Sequence, residues 1–259
     1  MSRYSILFRA FANGQRLFSI SESRLTNHAL AVAAFVLATA VSPSMAGETE
    51  WKAYYDQSNA HFQRGNLEQA EAFAREALRE AERSLGESSP ATELSLLRVA
   101  HILRLRGKAE EAQPLSERAM TLGAKVYGAG DPRTAMAIQN YAEIQFALKH
   151  YAESEALHRK SLAIFMKAYG EQNFNTAVSL HNIGAMLYAQ DKNQEAEKFL
   201  RRALGIKEKV LKRDSLSIAH TLDQLAAVLD SLGRQIEAER YRKRSAGIKQ
   251  RAQTGKPGA

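Results

Sequence analysis

Two stretches of the 259-residue chain, "RGNLEQAEAFAREALREAERSLG" at 64–86 and "RGKAEEAQPLSERAMTLGAKVYG" at 106–128, share one pattern at a separation of 42 residues. Both begin with Arg-Gly and then carry small, acidic and apolar residues at the same offsets. Related stretches begin at 148, 190 and 232, so the period runs through five copies without a gap. A fixed period of this length predicts a solenoid of stacked structural repeats.

Two positions of the repeat hold a small residue in every copy. The first is Ala70, Ala112, Ser154, Ala196 and Ala238, and the second is Ala77, Ala119, Ser161, Ala203 and Ser245. Side chains of this size let two helices approach closely, where a bulkier one would hold them apart. Apolar residues at i, i+3 and i+4, such as Ile138, Tyr141 and Ala142, indicate a helical stripe. The pattern predicts an all-α fold with two helices in each repeat.

The segments between repeats are interpreted as helix boundaries. In "VYGAGDPRTA", residues 126–135, Gly128 suits the left-handed conformation that closes a helix. Asp131 is then a good N-cap for the next helix, and Pro132 fits its first turn. The residues at the N-cap position in the four boundaries are Ser89, Asp131, Asn173 and Ser215. The acid and glycines of this segment are therefore assigned to helix ends, not to a metal or phosphate site.

This repeat resembles the tetratricopeptide repeat (TPR), and more closely the 42-residue variant of kinesin light chains and many bacterial proteins. "QNYA" (139–142) and "HNIG" (181–184) match the family pattern N-N-L-A, and "YGAGDPRTA" (127–135) matches L-G-x-x-H-P-x-T-A. The resemblance implies a right-handed, TPR-like superhelical solenoid over 47–252. The repeats are predicted at about 51–92, 93–134, 135–176, 177–218 and 219–252.

Some positions depart from the family pattern. Lys149 and Asp191 stand where the other inter-helix turns have glycine, and Pro114 is expected to bend a second helix. The basic segment "RYRKRSAGIKQR" (240–251) is interpreted as the polar end that a solenoid requires. Contact of this segment with a membrane surface, nucleic acid or an acidic partner stays open as an alternative. Residues 253–259 are predicted to be a disordered tail.

The first 46 residues are predicted to be a cleaved signal peptide. Residues 1–28 are basic with one acid, residues 29–41 form an apolar run, and Ser44 and Ala46 give the small-x-small pattern of a cut after Ala46. The run is shorter than the roughly 20 residues that span a bilayer. Secretion or a periplasmic location is therefore expected. A mitochondrial presequence and an uncleaved leader that tethers the protein to a membrane remain alternatives.

Charge and composition exclude several classes of function. The net charge of +8 is concentrated at the two ends, so the solenoid itself is nearly neutral and nucleic-acid binding is not expected. The chain has no cysteine, which excludes disulfides, thiolate metal sites and cysteine nucleophiles. Its seven histidines show no metal-binding spacing, and no catalytic or nucleotide-binding motif is present. We predict a non-enzymatic protein without cofactor or metal.

The resemblance places peptide ligands in a concave groove lined by the first helices, where an asparagine holds the peptide backbone. In this chain that position is Asp56, Arg98, Asn140, Asn182 and Gln224, and only Asn140 and Asn182 match the family residue. The residues predicted to face the groove are Arg98, His101, Gln139, Asn140, Glu143, Phe146, His181, Asn182, Tyr188 and Gln224, with Arg104 beside them. The alternative is that the asparagines satisfy local hydrogen bonds and the aromatic residues pack between helices.

His61 and Gln145 occupy a position that holds leucine in the other three repeats. Polar residues at an expected core position indicate either a site or local pairing with a neighbour. Taken together, the sequence predicts an exported protein–protein interaction module that binds a peptide or protein segment. A structural or assembly scaffold of an envelope or mitochondrial complex is the alternative. The sequence makes no prediction of the partner's identity or of the oligomeric state.

Overall fold

The computed structural model describes residues 43–254, which form ten α-helices. The helices are α1 (Pro43–Gln63), α2 (Leu67–Glu80), α3 (Pro90–Leu105), α4 (Ala109–Tyr127), α5 (Pro132–Ala147), α6 (Tyr151–Tyr169), α7 (Phe174–Ala189), α8 (Asn193–Val210), α9 (Leu216–Ser231) and α10 (Gln235–Thr254). A π-helical turn, Ala81–Leu85, follows α2 directly. Most of the predicted leader, residues 1–42, lies outside the described residues, as do residues 255–259 of the predicted tail.

These helices pair into the five predicted repeats. Within each repeat the first helix packs against its own second helix, and each second helix also packs against the first helix of the next repeat. The result is an all-α solenoid of stacked helix pairs, as the period predicts. The predicted cut after Ala46 falls in the first turn of α1, and α10 extends two residues into the segment predicted as a tail. Helix α4 runs without interruption across Pro114.

Both columns of small residues lie at the contact between the paired helices. All ten are buried, with 0–1 % of their surface exposed. Serine replaces alanine at three positions, and at two of them the hydroxyl bonds a backbone carbonyl across the contact: Ser154 Oγ donates to the Ala142 carbonyl (2.7 Å) and Ser245 Oγ to the Ala219 carbonyl (3.2 Å). Ser161 Oγ donates to the His158 carbonyl of its own helix at 2.9 Å. The prediction that these positions permit close helix packing is confirmed.

The boundaries between repeats follow the predicted scheme in three of four cases. Gly86, Gly128 and Gly170 have φ of 96°, 94° and 78°, in the region that favours glycine. The side chains of Ser89, Asp131 and Asn173 accept a hydrogen bond from a backbone N–H in the first turn of the next helix. Ser215 also occupies the N-cap position, but its side chain forms no capping bond, so that part of the prediction is wrong.

At each of the three regular boundaries, a threonine in the first turn of the next helix forms a second hydrogen bond back to the boundary glycine. The hydroxyls of Thr92, Thr134 and Thr176 donate to the carbonyls of Gly86, Gly128 and Gly170 at 2.8, 2.8 and 2.9 Å. At the fourth boundary the equivalent residue is Ile218, which has no hydroxyl. The fourth boundary therefore lacks the glycine, the capping bond and the threonine bond together.

The last helix carries charged residues where earlier second helices have core residues. Arg242 is equivalent to Ala74 and pairs with Asp230. Lys249 is equivalent to Ala81 and pairs with Asp223 at 2.6 Å. No further repeat follows among the described residues, so these positions meet solvent and acids rather than another helix. The basic charge of α10 is thus partly neutralised within the solenoid.

One core position carries an unpaired imidazole. His158 on α6 is 1 % exposed, and neither ring nitrogen has a hydrogen-bond partner within the part of the chain that the structure describes. Burial lowers the pKa of His158 to about 4. The equivalent residue in the next repeat is Leu200, which is fully buried. The fold therefore accepts an apolar residue of similar size at this position.

The turn inside each repeat gives a first prediction. Lys149 adopts φ of 64°, and the equivalent Gly107 adopts 76° with open space where a Cβ would lie. A left-handed conformation costs a non-glycine residue about 1–2 kcal/mol. We expect Lys149→Gly to raise the free energy of unfolding by about 1 kcal/mol in urea denaturation. The reciprocal control, Gly107→Lys, should lower it, and a change in the same direction for both variants would contradict this explanation.

His158 gives a second prediction. The unfolded chain binds protons at this histidine below about pH 6.5, whereas the folded chain does so only near pH 4. Stability contributed by neutral His158 is therefore lost as the pH falls through this window, by up to about 3 kcal/mol. We expect His158→Leu to flatten the dependence of the unfolding free energy on pH between 6.5 and 4. An equally steep dependence in His158→Leu and in the wild type would contradict this explanation.

Candidate functional site

The ten predicted groove residues all lie on first helices, from α3 to α9. Nine are partly buried, and Phe146 is 37 % exposed. We call the surface that these ten side chains form the groove face. Its residues come from equivalent positions of successive repeats, so the stacking of the repeats brings them together.

Arg98 is held between two aromatic rings at the amino-terminal end of the groove face. Its guanidinium carbon lies 5.5 Å from the ring centre of Tyr55 and 5.2 Å from that of Phe62. Its Nη2 also donates to Asn59 Oδ1. No carboxylate pairs with Arg98 among the described residues. The cation is therefore fixed in place by neutral groups of α1 and keeps its charge uncompensated.

The neighbouring basic residues are more strongly engaged. Arg104 Nη2 lies 2.9 Å from Glu143 Oε2, which joins α3 to α5. Burial raises the pKa of Glu143, and the Arg104 guanidinium opposes that rise. Burial also lowers the pKa of His101 to about 4, with smaller contributions from Arg104 and Arg98. His101 is consequently neutral near pH 7 and Arg104 is paired, so neither offers a free charge.

A ladder of hydrogen bonds connects neighbouring first helices along the groove face. Gln139 Nε2 donates to Ser179 Oγ at 2.8 Å, and His181 Nδ1 lies 3.2 Å from Thr221 Oγ1. Gln139 and His181 are equivalent positions, and both partners lie 40 residues further along the chain. Trp51 Nε1 makes a similar bond to Ser95 Oγ at 2.9 Å. We call these three contacts the hydroxyl ladder.

A buried lysine donates a hydrogen bond to one hydroxyl of the ladder. Lys207 is 3 % exposed, and its Nζ donates to Thr221 Oγ1 (2.8 Å) and to the Ser217 carbonyl (3.3 Å). Burial lowers the pKa of Lys207 to about 8. Burial also lowers the pKa of His181 to about 3, and the charge of Lys207 adds to that effect. His181 is therefore neutral over the physiological range of pH.

The amide side chains of the groove face retain unused hydrogen-bonding capacity. Asn140 Oδ1 accepts from Ser116 Oγ at 2.8 Å, which leaves the amide N–H groups of Asn140 without a partner in the described residues. Asn182 and Gln224, at the equivalent position of the next two repeats, form no hydrogen bond there at all. Half-buried amides that both donate and accept are suited to the groups of a peptide backbone.

The two aromatic residues of the groove face differ in their surroundings. Phe146 lies 5.4 Å from Tyr151, ring centre to ring centre, and remains exposed. Tyr188 is packed against the apolar cluster of repeats four and five. Phe146 therefore offers a contact surface, whereas most of Tyr188 serves the core.

The two polar residues at the expected leucine position are engaged differently. Gln145 is 1 % exposed and donates to Tyr141 Oη (2.7 Å) and Glu153 Oε1 (3.0 Å), while its Oε1 lies 2.9 Å from His150 Nδ1. His61 stacks on Phe73 with 5.3 Å between ring centres, and its Nδ1 is buried without a hydrogen-bond partner in the described residues. The surroundings of Gln145 favour local pairing over a site.

Sequence reasoning missed the hydroxyl partners and the lysine below them. The position of Ser179 and Thr221 reads Ser95, Ala137, Ser179 and Thr221 along the repeats, so a recurring hydroxyl is the signal that could have found them. Lys207 gave no such signal, because its equivalents in the preceding repeats are Ala81, Gly123 and Phe165.

Within residues 43–254 no group of three or more His, Asp or Glu side chains is arranged to hold a metal ion. The same residues contain no helix with the length and apolar character needed for a bilayer crossing. The chemistry on the groove face is that of hydrogen-bond donors, acceptors and one fixed cation, which suits binding.

Family comparison covers almost all of the solenoid. A tetratricopeptide repeat model matches residues 92–167, 136–209 and 175–251, and a second tetratricopeptide repeat model matches 54–91. No curated protein sequence matches the chain.

Several solved structures share the fold at low sequence identity. BtubC (BKLC) from P. vanneervenii is 22 % identical with a TM-score of 0.69, over 89 % of this chain and 91 % of that one. A kinesin light chain-type protein of Podosopora anserina with nearly identical TPR-like repeats is 20 % identical with a TM-score of 0.65, over 82 % and 98 %. A Rap protein complexed with Competence and Sporulation Factor is 17 % identical with a TM-score of 0.64, over 77 % and 54 %.

Proteins built from these repeats are typically non-catalytic scaffolds that bind other proteins. With the repeat models matching from residue 54 to residue 251, the chain belongs to the tetratricopeptide repeat family.

Proposed function

We propose that the protein is a non-enzymatic binding module that holds a peptide or protein segment on its groove face. The observation that carries this proposal is the row of equivalent amides, Asn140, Asn182 and Gln224, whose donors and acceptors are wholly or partly unused. Half-buried polar groups without partners are costly unless a ligand or water satisfies them. A peptide backbone offers a carbonyl and an N–H in every residue, so it matches a row of amides.

The rigid surroundings of these amides favour binding as well. Each amide lies on a helix whose neighbours on both sides are packed by the repeat, and Arg98 is clamped by two rings. Groups held in place lose little conformational entropy on binding. The Rap protein complexed with Competence and Sporulation Factor supports the proposal to the extent that the same fold there accepts a factor.

A specific feature also favours the scaffold alternative. Exposed apolar side chains occur at or near the ends of helices in repeats three to five, at Met136 (56 % exposed), Tyr169 (49 %), Phe174 (41 %) and Leu216 (48 %). We call these residues the boundary edge. Exposed apolar groups on successive repeats suit contact with a larger partner. In a scaffold, partners would depend on the boundary edge and not on the groove face.

We also propose that the protein acts outside the cytoplasm, as a secreted or periplasmic protein. The support is the order of a basic segment, an apolar run and a small-x-small cut in residues 1–46.

We expect the groove variant Asn140→Ala/Asn182→Ala to bind selected peptides at least tenfold more weakly than the wild type. The full chain would first be used to select phage-displayed random peptides of about twelve residues, and affinities would be measured by fluorescence anisotropy. The loss of about 1.4 kcal/mol corresponds to one or two net hydrogen bonds.

A matched amide control separates binding from general effects of substitution. Gln69 and Gln194 are exposed amides on second helices with no hydrogen bond in the described residues, so Gln69→Ala/Gln194→Ala should leave the affinity unchanged. Equal binding by the groove variant would sink the groove proposal. A loss caused only by Phe174→Ser/Leu216→Ser would favour the scaffold instead.

Amino-terminal sequencing of the protein purified from its native host tests the proposed location. We expect the mature chain to begin at Gly47, directly after the predicted cut. A mature protein that begins at Met1, recovered with the cytosolic fraction, would overturn export.

A further inference from the structure

We propose that Gln139 and His181 are the hydrogen-bond acceptors of the groove face, and that they bind backbone N–H groups three residues apart in an extended, polyproline-II-like segment. This inference rests on the proposed function and assigns the ligand conformation and two residues to it. It follows from where the protons of the hydroxyl ladder must lie.

Thr221 has one hydroxyl proton and three partners. Lys207 Nζ at 2.8 Å can only donate while it is charged, and the Ser217 carbonyl at 3.0 Å can only accept. Lys207 Nζ also reaches the Ser217 carbonyl, but at 3.3 Å, so the closer Thr221 hydroxyl gives its proton to Ser217, as the serines of the ladder also bond the carbonyl four residues earlier. All three contacts are satisfied only if His181 Nδ1 carries a proton and donates it to Thr221.

This accounting fixes the tautomer of His181. A neutral imidazole carries one proton, so with Nδ1 protonated the other nitrogen, Nε2, is a bare acceptor. Nε2 forms no hydrogen bond in the described residues, and it is not among the sealed side-chain atoms without a partner. The low pKa of His181, about 3, keeps this nitrogen unprotonated near neutral pH.

Ser179 fixes the direction of its hydrogen bond with Gln139 in the same way, one repeat earlier. Its proton goes to the Asn175 carbonyl at 3.1 Å, so its oxygen accepts from Gln139 Nε2 at 2.8 Å. Ser161 Oγ, 3.5 Å away, already donates to the His158 carbonyl at 2.9 Å. Gln139 is thereby held with its amide nitrogen in the ladder, and its Oε1 is left as a free acceptor.

Each acceptor has an amide donor as its neighbour in sequence. Asn140 uses its oxygen for Ser116 and keeps its N–H groups free, and Asn182, which follows His181, has both its oxygen and its N–H groups free. Repeats three and four therefore each present at least one acceptor and one donor. That pair matches one N–H and one carbonyl of a backbone.

The spacing of the repeats selects the conformation of the backbone. Gln139 on α5 bonds Ser179 on α7 directly, so these two first helices lie side by side, and helices in contact lie about 8–10 Å apart. A polyproline II segment advances about 3.1 Å per residue with three residues per turn, so N–H groups at i and i+3 point the same way about 9 Å apart. A β-strand repeats its orientation after two residues, at about 6.7 Å, and fits the two acceptors less well.

The tautomer can be measured on the full chain without any ligand. Nitrogen chemical shifts of ¹⁵N-histidine-labelled protein near pH 7, assigned with His181→Gln, should show a bare Nε2 and a protonated Nδ1. In Thr221→Val, which removes the hydroxyl, His181 should lose this preference. A protonated Nε2 in the wild type would overturn the inference.

A thermodynamic cycle tests the contact itself, with a peptide selected on the full chain as the probe. Each backbone N–H of that peptide is replaced in turn by N-methyl. We expect two sensitive positions three residues apart, each weakening binding about tenfold. His181→Leu should lose about tenfold on the parent peptide and nothing further on one of the two methylated peptides, and Gln139→Leu should behave likewise with the other.

Conservative variants and a distant control exclude a purely structural effect. His181→Gln keeps one donor for Thr221 and one free acceptor, so it should bind within twofold of the wild type, and Gln194→Leu on α8 should do the same. If no peptide is selected, the proposed function fails and this inference falls with it. If peptides bind but the cycles show no coupling, or the sensitive positions are not three apart, the inference alone is overturned.

Discussion

The close approach of paired helices at the two columns of small residues is the constraint on which the rest of the structure depends. All ten positions are sealed, and serine is accepted only where its hydroxyl bonds a backbone carbonyl, as at Ser154 and Ser245. Because interiors are close-packed, a larger side chain at these positions would force the helices apart. The columns lie on the second helices and permit the close packing of each first helix, which carries the side chains of the groove face.

The polar contacts between repeats differ between the second helices and the first helices. On the second helices, glutamates recur as ion-pair or amide partners, as in Glu71 with Arg106 and Glu197 with Arg234 at 2.8 Å. On the first helices, Gln139 and His181 bond hydroxyls, and Arg104 with Glu143 forms an ion pair. Two buried groups without full compensation, His158 and Lys207, lie in repeats three and four, and others at His61, Glu93 and Arg104 lie in repeats one and two. Such locally unfavourable choices are expected at functional positions more than elsewhere in a core.

The period predicted the fold because the same physical requirement recurs every 42 residues. Helix number, small columns and three capped boundaries all follow from residues read on one frame. The same frame placed Gln139, His181 and Arg104 on the groove face but did not show what they bond. Arg104 meets Glu143, and Gln139 meets Ser179, because stacking brings together residues that lie in successive repeats. Such pairing depends on three-dimensional stacking. The missing capping bond at Ser215 occurs at the boundary that has lost its glycine.

Recognition on the groove face cannot depend mainly on charge. Arg104 is neutralised by Glu143, His101 and His181 are neutral near pH 7, and Arg98 is the remaining cation among the ten residues of the groove face. Main-chain hydrogen bonds supply affinity without reading sequence, so specificity requires side chains that differ from repeat to repeat. Phe146 is exposed where Tyr188 is packed, and Arg98 is clamped at the other end. A segment held by its backbone across repeats three and four would therefore be distinguished by what it places against Phe146 and Arg98.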